Sequence, residues 1–308
     1  MRDAFALALN QASKEHDNIF FVVADISPAS SLQDFLSDNP NRFIDVGVSE
    51  QSLVGIAAGL AMKGFRPFAY TIANFLIYRP FEQVRVDLCY QQLPVVLVGV
   101  GGGVSYPALG GTHHTIEDVA VMSALPNMTV VAPCDPAEVI AAVHQSFVLN
   151  GPMYLRLGKA GEPTLTTSAL EEFELGKIRK LQDGDEVAIV GYGPILKMAF
   201  DVISSAPSRA KKVAIFSAHT LKPFDDDRMI QILSNYSKVI LLEEHVYQGG
   251  LSSHAVRLAQ ANRIETDLRL VHLRDEFIHI YGQKEDILAA HGITLERLYK
   301  EVFPEGDD

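Results

Sequence analysis

Glu50 ends the run FIDVGVSE and opens QSLVGIAAGLAMKG, so one carboxylate stands where two periodicities meet. Val46 and Val48 alternate as a strand does, whereas Leu53, Ile56, Ala57, Leu60 and Ala61 recur at helical spacing. Ser49 and Glu50 therefore fall at a helix start. A carboxylate there can be an ordinary cap, stabilised by free backbone N–H groups and the macrodipole by about 0.5–2 kcal/mol. The alternative is a chemical role, which the flanking residues must support. A second candidate lies in GGTHHTIEDVAVM, where His113 and His114 precede a helix pattern. Adjacent histidines on extended chain point to opposite sides, unlike the i, i+4 pair of a zinc helix. With no third ligand nearby in sequence, no metal site is expected from this chain. One imidazole facing a pocket as hydrogen-bond donor or proton carrier fits better, since it titrates near neutrality. For either histidine, satisfying loop carbonyls is the structural alternative.

The elements that must position these groups alternate along the whole chain. Strand patterns at 18–25, PFAYTI, 94–102, 128–133 and 152–158 are separated by helix patterns after Glu50, near 80–92, at 116–125 and after Asp135-Pro136. A second alternation follows in EVAIVGYG, 194–205, KVAIFSAHTLKPFD, 227–235, KVILLEEH, 250–263 and LRLVHL. This pattern predicts two consecutive α/β domains with mainly parallel sheets. We place the first at 1–160, a linker at 161–182 where periodicity lapses, and the second at 183–308. The loop GVGGGVSYPALGG lies outside a strand's carboxyl end, where open α/β sheets bind ligands. It lacks the Lys-Ser/Thr ending of a phosphate loop. Gly191 and Gly193 suggest a dinucleotide fingerprint, but position 196 is Leu196 and no acidic residue ends the next strand, so that fingerprint fails.

Composition narrows the function classes. With 308 residues and 48% hydrophobic content, the chain can bury a sizeable core. A formal charge of −12 without a basic stripe argues against nucleic-acid binding, which needs clustered Lys and Arg. Cys89 and Cys134 form no CxxC pair, so neither a disulfide framework nor a zinc site is suggested. No run of about 18 apolar residues spans a membrane, and MRDAFALALNQASKEHDN reads as an amphipathic helix rather than a signal peptide. A cytoplasmic location is expected.

The ordered set DIS, GVSEQSLVGIAAGLA, FLIYRPFEQ, GGGVSYPALGGTHHTIEDVA, LPNMTVVAPCDP, GPMYLRLGK, LKPFD and EEHVYQGGL resembles the second half of a transketolase, a thiamine-diphosphate enzyme. The resemblance covers nearly the entire chain. It implies a pyrimidine-binding domain followed by a transketolase C-terminal domain. The family's diphosphate-binding domain, with its GDG motif, is absent from these residues. The resemblance therefore implies a split enzyme. A separate diphosphate-binding subunit would hold the magnesium (or calcium) ion, in a heterotetramer with two copies of each chain. The chain alone should be inactive.

On this resemblance Glu50 activates the cofactor by bonding the pyrimidine nitrogen. To do so it must share or donate a proton, which burial against apolar residues would assist. The aromatic loop before Arg79, which the resemblance includes among the cofactor-binding residues, is one residue longer than usual, so the stacking ring is either Phe75 or Tyr78, with Phe81 open to core packing. Asp25 resembles an aspartate near the thiazolium, with a strand-terminal turn as the alternative. His113 matches a histidine bonding the substrate hydroxyl beside the reacting carbon, and His114 is placed next to it. Arg156 and Lys159 match basic residues that hold a substrate phosphate. Two departures alter the acceptor pocket: a sugar-reading aspartate is here Leu109, and a phosphate-site histidine is Gly101. Transfer of a two-carbon ketol unit between sugar phosphates or related anionic sugars is the expectation, on a branched, deoxygenated or otherwise unusual sugar. The alternatives are a 2-oxoacid dehydrogenase β subunit, a deoxyxylulose-phosphate-synthase-like enzyme and a non-catalytic assembly module.

Overall fold

The computed structural model describes residues 1–26, 32–166 and 171–304. Strand β1 (Ile19–Val23) shows how the sequence builds the layers. Ile19, Phe21 and Val23 enter one apolar layer while Val22, followed by Ala24, enters the other. Burial on both faces is what a parallel sheet between helices requires. The first sheet joins β1 to β2 (Phe43–Asp45), β3 (Arg66–Ile72), β4 (Val96–Val100), β5 (Thr129–Val131) and β6 (Met153–Leu157), all parallel, in the spatial order β5-β6-β4-β3-β1-β2.

The second sheet contains β7 (Arg179–Gln182), β8 (Val187–Gly191) and β9 (Val213–Ser217). Strand β10 (Thr220–Lys222) then leaves it and pairs antiparallel with β5, closing the edge of the first sheet. The chain returns for β11 (Lys238–Val246) and β12 (Asp267–Leu273), giving the order β12-β11-β8-β9-β7 with only β7 antiparallel. The two domains also share an apolar layer. Val22, Leu97 and Val130 of the first meet Ala188, Val190 and Phe216 of the second in one continuous cluster. Outer faces are covered by helices 2–12 and 136–146 on the first sheet and by helices 197–205 and 295–302 on the second.

One local expectation is corrected. Residues 179–182, within the stretch read as a linker, are strand β7, and Leu165 and Thr166 are tied to Asp135 Oδ2 by backbone N–H bonds of 2.7 and 2.8 Å. Masked periodicity explains the miss, since RKLQ has a single buried side chain. The remaining part of that stretch at 167–170 lies outside the described residues. The helix expected near 80–92 is present at 81–90, where an α-helical turn at 81–83 runs into a π-helix at 84–90. Among the described residues no helix is long and apolar enough to cross a membrane.

Candidate active site

Parallel topology brings the sequence candidates to one edge. Asp25 follows β1, Glu50 follows β2, Phe75 follows β3, the glycine loop follows β4 and Lys159 follows β6, each beyond a carboxyl end. That is the crevice where open α/β sheets bind ligands.

Ser49 is the N-cap of helix 50–62 and Glu50 its first residue, yet no side chain caps this helix. Ser49 Oγ instead donates to Ser52 Oγ at 2.6 Å. The carboxylate of Glu50, 3% exposed, accepts from Arg79 Nη1 at 2.9 and 2.8 Å through its two oxygens. Glu50 is thus not acting as a side-chain cap. It is half of an ion pair, because helix 73–78 delivers Arg79 at its C-terminal end and Gln51 Nε2 holds the Arg79 carbonyl at 3.4 Å.

From this pair a wall of side chains runs along the crevice. The Arg79 guanidinium carbon lies 3.9 Å over the Phe75 ring, and Phe75 meets His113 edge to face at 5.1 Å. His113 in turn meets Tyr106 at 5.8 Å, and Lys159 Nζ stands 5.0 Å from the Tyr106 ring centre. Burial, with a smaller contribution from the Arg79 charge, lowers the His113 pKa below the usual histidine value. The imidazole is therefore neutral near pH 7. Thr112 Oγ1 lies 3.0 Å from Nδ1 and donates its hydrogen to the Leu109 carbonyl at 3.4 Å, so the tautomer that satisfies both contacts carries N–H at Nδ1 and leaves Nε2 as the acceptor.

Glu50, Phe75, Arg79, His113 and Lys159 are brought together, whereas three other candidates are not. Tyr78 donates its hydroxyl to Glu117 Oε2 at 2.8 Å, and burial together with that carboxylate pushes its phenol well above the ordinary range. The ring beside Glu50 is Phe75. His114 is only 5% exposed, and burial lowers its pKa. Its carbonyl is fixed by Asn74 Nδ2 at 2.7 Å, and the residue lines a neighbouring cavity of about 480 Å³ together with Tyr78, Glu117 and Phe277.

Arg156 is the clearest correction. It is 3% exposed, and Nε donates to Asp118 Oδ2 at 2.7 Å while Nη2 donates to the carbonyls of Thr115 and Glu244 at 3.3 and 3.1 Å. Burial works against its charge, but Asp118 overrides it and holds the pKa above the ordinary arginine value. This guanidinium ties β6 to β11 across the domains and presents no open face to a substrate phosphate. Asp25 stands at the crevice with φ +50°, a backbone conformation in which Asp is among the tolerated residues.

Sequence reasoning missed Tyr106 and Glu244. Gly101 has φ +84°, and a Cβ there would stand 2.0 Å from the Tyr106 ring. The ring thus fills the space a side chain at 101 would need. Glu244 accepts from the Val104 N–H at 2.6 Å and pairs with Lys284 at 2.6 Å, so the second domain fixes the glycine loop of the first. The EEH run divides its labour. Glu243 accepts from the Leu251 and Ser252 N–H groups at 2.9 and 2.8 Å, anchoring helix 251–261, and His245 Nε2 accepts from the Ala120 N–H at 3.4 Å. Two adjacent acids in a hydrophobic strand were the available signal.

A flat, nitrogen-bearing ring fits the slot between Glu50 and Phe75. A planar cation already spans it, bonding the carboxylate and stacking on the arene. The pyrimidine-binding domain of transketolases matches residues 1–161, and the transketolase C-terminal domain matches residues 176–298. The chain belongs to the transketolase family of thiamine-diphosphate enzymes, as a transferase subunit composed of these two domains. It is 32% identical to one of the subunits of the apulose-4-phosphate transketolase of Phocaeicola vulgatus over 299 residues, covering 97% of this chain and 95% of that one. It is 32% identical to the 6-deoxy-6-sulfo-D-fructose transketolase subunit SqwH of Clostridium sp. strain MSTE9 over 311 residues, covering 97% and 96%. Among solved structures it resembles a split gene transketolase described as an inactive beta4 tetramer. The TM-score is 0.85 at 31% identity, over 98% of this chain and 96% of that one.

Proposed function

We propose that this chain is the pyrimidine-binding and C-terminal subunit of a heteromeric transketolase that moves a two-carbon ketol unit between anionic sugars. A diphosphate-binding subunit completes the site and holds the magnesium or calcium ion, in a cytoplasmic α2β2 heterotetramer. The observation that carries this reading is the wall from Glu50 through Phe75 and His113 to Lys159. It sets a buried carboxylate and an aromatic face at one end, and a neutral imidazole and the Lys159 ammonium over Tyr106 at the other. The relative described as an inactive beta4 tetramer supports the need for a second chain.

What thiamine diphosphate supplies when bound is a nucleophilic carbon on its thiazolium ring. Glu50 holds a proton at a carboxyl oxygen toward a pyrimidine nitrogen, and Phe75 orients that ring by stacking. His113, kept neutral with its hydrogen on Nδ1, can take a proton from a substrate hydroxyl at Nε2 as general base and return it there as an acid. Lys159 attracts the substrate's anion as a point charge, and its place over Tyr106 keeps the ammonium at the mouth. Asp25 lies at the same sheet edge and offsets positive charge on the thiazolium. Tyr106 fills the space at Gly101 and Leu109 is half exposed, so neither position offers the polar side chain that the family resemblance leads one to expect there. An unusual sugar suits an acceptor pocket altered in this way, in keeping with relatives named for apulose-4-phosphate and a 6-deoxy-6-sulfo sugar.

The test is ketol transfer by this chain mixed with a diphosphate-domain partner, magnesium, thiamine diphosphate and a panel of anionic ketoses and aldoses. Transfer should require both chains, and Glu50→Gln should lower kcat by about 10²–10⁴-fold with the complex still assembled. Pyruvate decarboxylation in place of ketol transfer would move the assignment to a dehydrogenase or synthase.

A further inference from the structure

Arg79 and an aminopyrimidine need the same slot. The guanidinium is planar, donates N–H groups to the Glu50 carboxylate and stacks at 3.9 Å on Phe75, which is van der Waals distance. A pyrimidine bonded to Glu50 and stacked on Phe75 would make those two contacts itself. We propose that Arg79 is a place-holder: in the free chain it occupies the pyrimidine's position between Glu50 and Phe75, and cofactor entry expels it. This rests on the reading that the chain binds thiamine diphosphate together with a partner subunit.

The burial of the two groups is suited to such an exchange. Glu50 is 3% exposed, so without a ligand its carboxylate needs a partner from the protein. Arg79 is 45% exposed, so its side chain can swing into water at little desolvation cost. The anchor that remains when it leaves is its backbone, held by Gln51. Expulsion also takes a cation away from His113, whose imidazole lies on the other side of Phe75. Arg79 therefore satisfies Glu50 before assembly and imposes a penalty on cofactor affinity, because the binding-competent state is the one in which the arginine has left.

The experiment is calorimetric titration of thiamine diphosphate, with excess magnesium, into the assembled two-chain complex carrying wild-type chain, Arg79→Ala or Arg79→Lys. Arg79→Ala should tighten the apparent Kd by about 3–10-fold, the worth of a half-exposed ion pair and its stacking contact. Arg79→Lys keeps the charge without the flat fork and should fall between, and it carries the test by itself if the alanine variant fails to assemble. Unchanged or weaker binding in both variants would overturn the place-holder and make Arg79 a cofactor ligand or a bystander. A wild-type complex that binds no cofactor would instead sink the functional reading, and the place-holder with it.

Discussion

Glu50–Arg79 and Asp118–Arg156 are chemically the same pair in two settings. The first has one partner 45% exposed and lies at the mouth of the crevice, whereas the second is 3% and 0% exposed between the domains. Exposure decides what each can do. A half-exposed guanidinium can exchange its carboxylate for water, so its pair can open to admit a ligand. A buried guanidinium has no such alternative, and Arg156 is further held by two carbonyls and packed against Gly102, where a Cβ would stand 2.7 Å from its Nε. Both arginines read as site residues in the sequence, and only one borders the crevice.

The strongest way to break this comparison is Arg156→Met. It leaves Asp118 buried with Tyr154 as its remaining hydrogen-bond partner, and should cost about 3–5 kcal/mol in urea unfolding of the chain. A cost below 1 kcal/mol would show that the inter-domain tie is dispensable. Next comes a buried titratable group with no opposite charge to pair with. His219 is stacked on Phe173 at 3.9 Å, and burial, with a smaller contribution from Arg179, pushes its pKa down to about 3. The unfolded chain takes up this proton near pH 6.5. The stability due to the neutral ring is therefore fully present above about pH 6.5 and is lost as pH falls toward 3, by on the order of a few kcal/mol. His219→Gln should flatten the unfolding free energy across that window, and an unchanged slope would assign the acid sensitivity elsewhere. The smallest effect is expected at the open pair. Glu50→Gln should change the unfolding free energy by less than about 1 kcal/mol, since Arg79 can hydrate, although activity collapses. A loss comparable to that of Arg156→Met would mean that both pairs are structural.

Much of the site was legible because strand–helix alternation fixes which residues follow a carboxyl end. Periodicity placed Glu50 and the glycine loop beyond strand ends, and the resemblance to transketolases added the aromatic loop and Lys159 to them. His113 could be separated from His114 only by the fold, which buries the His114 ring and sets His113 edge to face against Phe75 and Tyr106. The choice of Phe75 over Tyr78 likewise depended on Glu117, 39 residues from Tyr78, supplying a partner for the hydroxyl.

The sequence by itself determined the two α/β domains, the sheet edge at which the candidate residues gather, and the junction at which Glu50 stands. These follow from local periodicity and turn placement, which act over a few residues. Tertiary structure decided the partners. Arg79 joined Glu50 across 29 positions, Arg156 joined Asp118 across 38, and Glu244 reached the glycine loop across 140. Long-range pairing depends on packing geometry and on the cost of leaving a charge buried alone, and neither is encoded in the spacing of neighbours along the chain.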